Sequence, residues 1–119
     1  MKDFRQLHVW EKGHRLVLEI YRVTQAFPRE ELYGLISQMR RSAASIPTNI
    51  AEGCGRRTDP DFARFLQFAM GSASELEYQL LLARDLGFLN DERYQLLTED
   101  VEEVKRMLTG LLKRLRAGG

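Results

Sequence analysis

Residues 91–116 read DERYQLLTEDVEEVKRMLTGLLKRLR. Tyr94, Val101, Leu108 and Leu115 recur every seven positions, and Leu97, Val104 and Leu111 interleave with them. This is the seam of a helix packed lengthwise in a bundle. Asp91, Glu92, Glu99 and Asp100 load its first half, whereas Lys105, Arg106, Lys113, Arg114 and Arg116 load its second, so the charges complement the helix dipole at both ends. Full burial of a seam side chain gains about 1.5–3 kcal/mol, but ordering the backbone costs about 1–2 kcal/mol per residue. The helix therefore cannot stand alone, and the chain before it has to supply partners.

Moving outward, Thr58-Asp59-Pro60-Asp61 has the form of a helix start, with Thr58 or Asp59 as cap and Pro60 near the first position. Phe62, Phe65, Leu66, Ala69, Ala73, Leu76, Leu80 and Ala83 continue as one apolar stripe until Gly87, where a left-handed cap is expected. Upstream again, Pro28 is placed to open a second helix with Glu30 and Glu31 at its positive end. Its stripe is Leu32, Leu35, Ile36, Met39, Ala43, Ile46 and Ile50. A turn near Gly55 sets Ile46 against Phe65, Ala43 against Phe68 and Met39 against Ser72. Residues 4–26 form the first helix, with Leu7, Trp10, His14, Val17, Leu18, Tyr21 and Thr24 as its inward stripe. The expected fold is all-α: one domain over residues 1–119, an up-down-up-down antiparallel four-helix bundle whose second helix is kinked near Pro47.

The kink belongs to the least helix-like stretch, residues 40–57, RRSAASIPTNIAEGCGRR. Pro47 cannot donate to the carbonyl of Ala43 and its ring crowds that turn, which costs about 3 kcal/mol in a regular helix. Ser42, Ser45 and Thr48 offer hydroxyls to nearby backbone groups, and Ser45, Pro47, Asn49 and Glu52 are candidates for a shaped segment or a subunit contact.

Eighteen Lys and Arg face 17 Asp and Glu, a net charge of +1, so global charge alone implies no affinity for nucleic acid or membrane. The halves differ, with ten basic and six acidic residues up to position 58 and eight and eleven after it. Fourteen of the 18 basic residues are Arg, suited to forked contacts with phosphate or carboxylate. Cys54, the only cysteine, permits no internal disulfide, and no apolar run approaches the roughly 20 residues of a membrane span, so a cytoplasmic protein is expected.

Glu11-Lys12-Gly13-His14 is a single copy of the Glu-x-x-His pattern of di-iron bundles, which need two copies and two further glutamates. No metal or cofactor is expected, and His14 is read as an edge residue satisfied by a neighbour. Cys54 between Gly53 and Gly55 reads as an exposed thiol near Arg56 and Arg57, but no histidine adjoins it and no nucleophile or phosphate-loop motif appears. A non-enzymatic protein is expected. The remaining candidates are Arg40, Arg41, Arg56 and Arg57 with Lys105, Arg106, Lys113, Arg114 and Arg116. They either pair with glutamates such as Glu52, Glu75 and Glu77, or form a phosphate-binding surface completed by subunit assembly.

Several motifs together carry a family resemblance: Phe4-x-x-Leu7-x-Val9-Trp10, Phe27-Pro28-x-x-Glu31-x-Tyr33-Gly34-Leu35, Gln38-Met39-Arg40-Arg41-x-Ala43-x-Ser45-Ile46-x-x-Asn49-Ile50-Ala51-Glu52-Gly53, and Gly71-Ser72-Ala73-x-Glu75-Leu76-Glu77. The chain resembles, almost end to end, the four-helix-bundle proteins encoded in intervening sequences of bacterial 23S ribosomal RNA genes. Relatives of that family include the accessory variability proteins of diversity-generating retroelements. The resemblance implies a homopentamer and suggests binding of RNA or DNA. A protein-interaction scaffold serving a partner such as a reverse transcriptase is the alternative. Most members of the family have no assigned activity.

Overall fold

The computed structural model describes residues 3–118; Met1, Lys2 and Gly119, the outer limits of the expected domain, lie outside the described residues. Those residues form four α-helices, α1 His8–Thr24, α2 Leu35–Cys54, α3 Asp59–Asp85 and α4 Asp91–Gly118, with single 3-10 turns at Phe4–Gln6 and Arg29–Glu31. They pack lengthwise into a body of 46 × 23 × 20 Å. Side-chain pairs fix the topology. Arg40 reaches Thr24, Ser45 meets Ser72, Lys105 meets Glu77 and Lys12 meets Asp100. With Arg93 against Glu19 as well, every neighbouring pair of helices is antiparallel and the bundle is up-down-up-down.

The start of α1, the α2–α3 turn and the end of α4 therefore share one end of the molecule. The α1–α2 connection and the α3–α4 turn share the other. At that second end Gly87 takes φ 82°, the left-handed cap expected after α3.

The stripes of α3 and α4 are inward as predicted: Leu66, Ala69, Ala73, Leu76, Leu80, Ala83, Val101, Val104 and Leu108 have no exposed surface. Tyr94 and Leu115 are partly buried against that core, and Leu112 joins it. Small residues in the middle of α3 let α2 approach closely, and Ser42 and Ser45 fill the contact. Ser42 donates to Glu75 at 2.8 Å, and Ser45 Oγ accepts from both Ser72 and Asn49.

Three expectations are corrected. First, α1 is rotated by about one residue: Val9, Gly13, Leu16, Ile20 and Thr24 are inward, while Leu18 and Tyr21 are each 43% exposed. Gly13 carries no side chain because α2 lies against it; a Cβ there would be 3.3 Å from Ile46. Second, α2 begins at Leu35 rather than at Pro28, which leads only a single 3-10 turn. The Glu31 carboxylate folds back and accepts the N–H of Leu35 at 3.1 Å, so it caps the helix across Gly34. Third, the α2–α3 register is shifted by several residues. Ser45 faces Ser72 and Gly53 faces Phe62, because the turn is centred on Thr58 rather than Gly55. Phe68 consequently lies outside the core, 47% exposed, and not against Ala43.

Pro47 does not end α2, which runs through it to Cys54. Its ring is buried and lies beside Gly13 of α1, so the missing donor coincides with a tight interhelical contact. Asn49 Nδ2 donates to the carbonyl of Ser45 at 2.8 Å, adding a side-chain bond in the turn that contains the proline. Among the described residues no helix is long and apolar enough to cross a membrane.

Candidate nucleic-acid interface

The two arginine pairs that bracket residues 40–57 are separated by about 24 Å of helix, at ~1.5 Å per residue. They do not form one site. Arg40 turns inward: its Nε donates to Thr24 Oγ1 at 3.0 Å, its guanidinium reaches the Tyr21 carbonyl, and it lies 4.6 Å from the Tyr21 ring centroid. With Thr24 donating in turn to the carbonyl of Ile20, Arg40 closes the last turn of α1 and has little left for a ligand. Arg41, one position on, is exposed.

Arg56 and Arg57 sit at the α2–α3 turn, around a cleft of about 260 Å³ lined also by Gly55, Thr58 and Asp61. Arg56 lies 4.4 Å over the Phe65 ring and 3.9 Å from Asp61, and Arg64 holds the same carboxylate at 3.0 Å. Asp61 is thus shared between two guanidinium groups, and Arg57 makes no side-chain bond among the described residues. Antiparallel packing brings the end of α4 to the same end of the bundle, in separate clefts: Arg116 lies with Asp59, Pro60 and Ala63, and Arg114 with Leu7, His8 and Val9.

Lys105 and Arg106 are drawn off. Lys105 pairs with Glu77 at 3.1 Å and Arg106 with Glu103 at 3.3 Å, in line with the pairing alternative. Glu75 instead accepts from Ser42. Of the nine candidate cations, Arg41, Arg57, Lys113, Arg114 and Arg116 have exposed side chains with no hydrogen-bond or ion-pair partner among the described residues. Four of these five cluster at one end of the bundle. That clustering depends on the register of four helices, so spacing along the chain does not reveal it.

The shaped-segment candidates divide between two sides of α2. Ser45 and Asn49 face α3. Pro47 and Glu52 line a groove of about 600 Å³ between α1 and α2, together with Phe4, Trp10, His14, Val17, Ala44, Thr48 and Ala51. Trp10 stacks on His14 with centroids 5.1 Å apart, and the Phe4 ring leans on it at 4.8 Å. The groove meets a second hollow at Ala44, which Tyr21, Leu32, Tyr33 and Arg41 line. Trp10 and Val17, expected in the α1 core stripe, are partly buried at the edge of that core, and His14 lies exposed beside them, at the edge as expected; together they line this groove. Cys54 is 3% exposed and belongs to the hydrophobic core, which corrects the expectation of a reachable thiol. Among the described residues no group of three or more His, Cys, Asp or Glu is placed to hold a metal ion.

A solved structure closely resembles this bundle: a protein of unknown function from the S23 ribosomal protein family of Bacteroides thetaiotaomicron, with a TM-score of 0.81 and 25% sequence identity. The likeness covers 88% of this chain and 95% of that one. Among curated proteins no relative matches. The family described as 23S rRNA-intervening sequence protein matches residues 5–110, nearly the whole bundle, and the chain belongs to that family.

Proposed function

We propose that this protein is a non-enzymatic, cytoplasmic, ring-forming bundle that binds RNA or DNA through the cationic end of each subunit. The observation that carries the reading is that Arg57, Lys113, Arg114 and Arg116, all exposed and without partners among the described residues, lie at the one end of the bundle shared by the start of α1, the α2–α3 turn and the end of α4. A net charge of +1 gives one chain a weak overall field, but the local field at that end is positive, and a ring multiplies it. Self-association has its own support in the apolar groove around Trp10 and Pro47. A second copy of the chain is its natural occupant, and a homopentamer is the expected ring.

Binding to ribosomal RNA fragments, measured across a salt series, tests the proposal. Engagement of the four free cations by phosphate predicts a log–log slope of about −3 to −4. Changing Arg57, Lys113, Arg114 and Arg116 together to Glu is expected to abolish binding, while Lys105→Glu and Arg106→Glu, at residues already paired, have small effects. Absence of binding at low salt, or an unaffected fourfold variant, rules the reading out. A partner protein retained after nuclease treatment would then favour the scaffold alternative.

A further inference from the structure

We propose that the α2–α3 corner is built for single-stranded rather than duplex nucleic acid, with Phe68 as a stacking platform for an unpaired base. This rests on the nucleic-acid reading above and narrows its ligand. Phe68 is a large apolar side chain left 47% exposed on a helix whose other large apolar positions near it, Phe62, Phe65 and Leu66, are buried. Its ring stands edge-on to Phe65, at 86° with centroids 5.4 Å apart, so the neighbouring ring holds its orientation.

Cations surround the pair. Arg56 lies 4.4 Å over Phe65, and Arg64 lies 4.9 Å from Phe65 and 5.6 Å from Phe68. Asp61, Arg64, Phe65 and Phe68 share one face of α3, and Phe68 is about 10 Å along the helix from Asp61. The cleft of Gly55, Arg56, Arg57 and Thr58 opens at Asp61. A guanidinium cleft for backbone phosphate and an aromatic ring for a base thus lie within the reach of neighbouring nucleotides of one strand. Stacking on an aromatic ring needs a base face, which a duplex hides and a loop or single strand presents. The platform discriminates by strandedness and not by sequence, since every base has such a face.

The experiment compares a labelled oligothymidylate with a blunt-ended, loop-free duplex of equal phosphate number, binding to the full-length protein at fixed salt. Wild type is expected to favour the single strand. Phe68→Ala should weaken single-strand binding by ~10-fold, within what one stacked base contributes, with the salt slope unchanged and duplex binding altered less than about 2-fold. Phe68→Trp, which keeps an aromatic face, should restore it, whereas Phe68→Leu, which keeps apolar packing without that face, should not. Equal losses for both ligands, or no loss for either, overturns the assignment while leaving the cationic end in place as a binding surface. A Phe68→Ala protein with changed oligomeric mass and unchanged binding overturns it too, by making the ring a subunit contact. If wild type binds neither ligand, both readings fall together.

Discussion

Gly53 has room for a hydrogen and nothing larger. A Cβ there would lie 2.8 Å from Phe62 Cδ1 and 3.1 Å from Phe65 Cβ, so the close crossing of α2 and α3 exists because this side chain is missing. Replacing Gly by Ala inside a helix ordinarily gains about 0.5–1 kcal/mol, but overpacking a tight core contact costs about 1–3 kcal/mol. The clash wins, because the obstructing atoms are an aromatic ring and a Cβ that cannot swing away. Gly53→Ala is therefore expected to lower stability by about 1–2 kcal/mol, seen as a lower urea midpoint at unchanged slope. Gly71, also inside a helix, has nothing within 4 Å of the place a Cβ would take, and Gly71→Ala should raise the midpoint instead. The same crowding explains why Cys54 is buried. Glycines on both sides of a cysteine suggest an open loop, yet Gly53 serves interhelical contact, and only Gly55 ends the helix.

At the scale of elements, α2 and α3 start with different devices at opposite ends of the bundle. Thr58 caps α3 through its own hydroxyl, which accepts from the N–H of Asp61 at 3.2 Å, whereas Glu31 caps α2 from outside the helix across Gly34. Thr58→Ala and Glu31→Ala should each cost about 1 kcal/mol. Because they share no partner, the double variant should lose the sum within about 0.5 kcal/mol in denaturant melts. A strong non-additivity would mean that the two ends of the bundle communicate.

The helices differ in how far they can be read from sequence. α3 and α4 carry uninterrupted heptad-like stripes with helix stops beside them, and the stripes lie in the core as expected. α1 carries two apolar faces, one punctuated by Gly13 and the other rich in large side chains. Hydrophobicity alone favours the larger, while packing selects the face with the glycine because α2 needs that space. The α2–α3 register departs from expectation for a related reason: Gly55 looks like the turn, but the helix cap at Thr58 decides where the chain reverses. A few residues of difference in the turn shift the facing pairs by about twice as many, which moves Phe68 from core to surface. The cationic end is not legible in the sequence, since it joins residues distant along the chain through a register that has first to be known.

At the scale of the molecule, the apolar α1–α2 groove and the clefts of the cationic end share no lining residue, so the proposed association and the proposed ligand binding can be separated by substitution. Ala44 stands where the two hollows meet and is only partly buried, so a larger side chain there fills the groove without entering the core. Ala44→Arg should then leave the helical content and melting unchanged while light scattering falls from a multiple of 13.8 kDa to 13.8 kDa itself. The consequence for binding follows from multivalency. Among the described residues one subunit offers four free cations at its end, and the proposed ring would offer several such ends to one polyanion, where the second contact benefits from the high effective concentration set by the first. The Ala44→Arg monomer should therefore keep its cationic end intact and still lose more than about 10-fold in affinity for a long RNA, while binding a short oligonucleotide that spans one subunit as wild type does. Equal losses for long and short ligands would instead place Ala44 in contact with nucleic acid, and a wild type that scatters as a monomer would remove the ring and leave each cationic end to act alone.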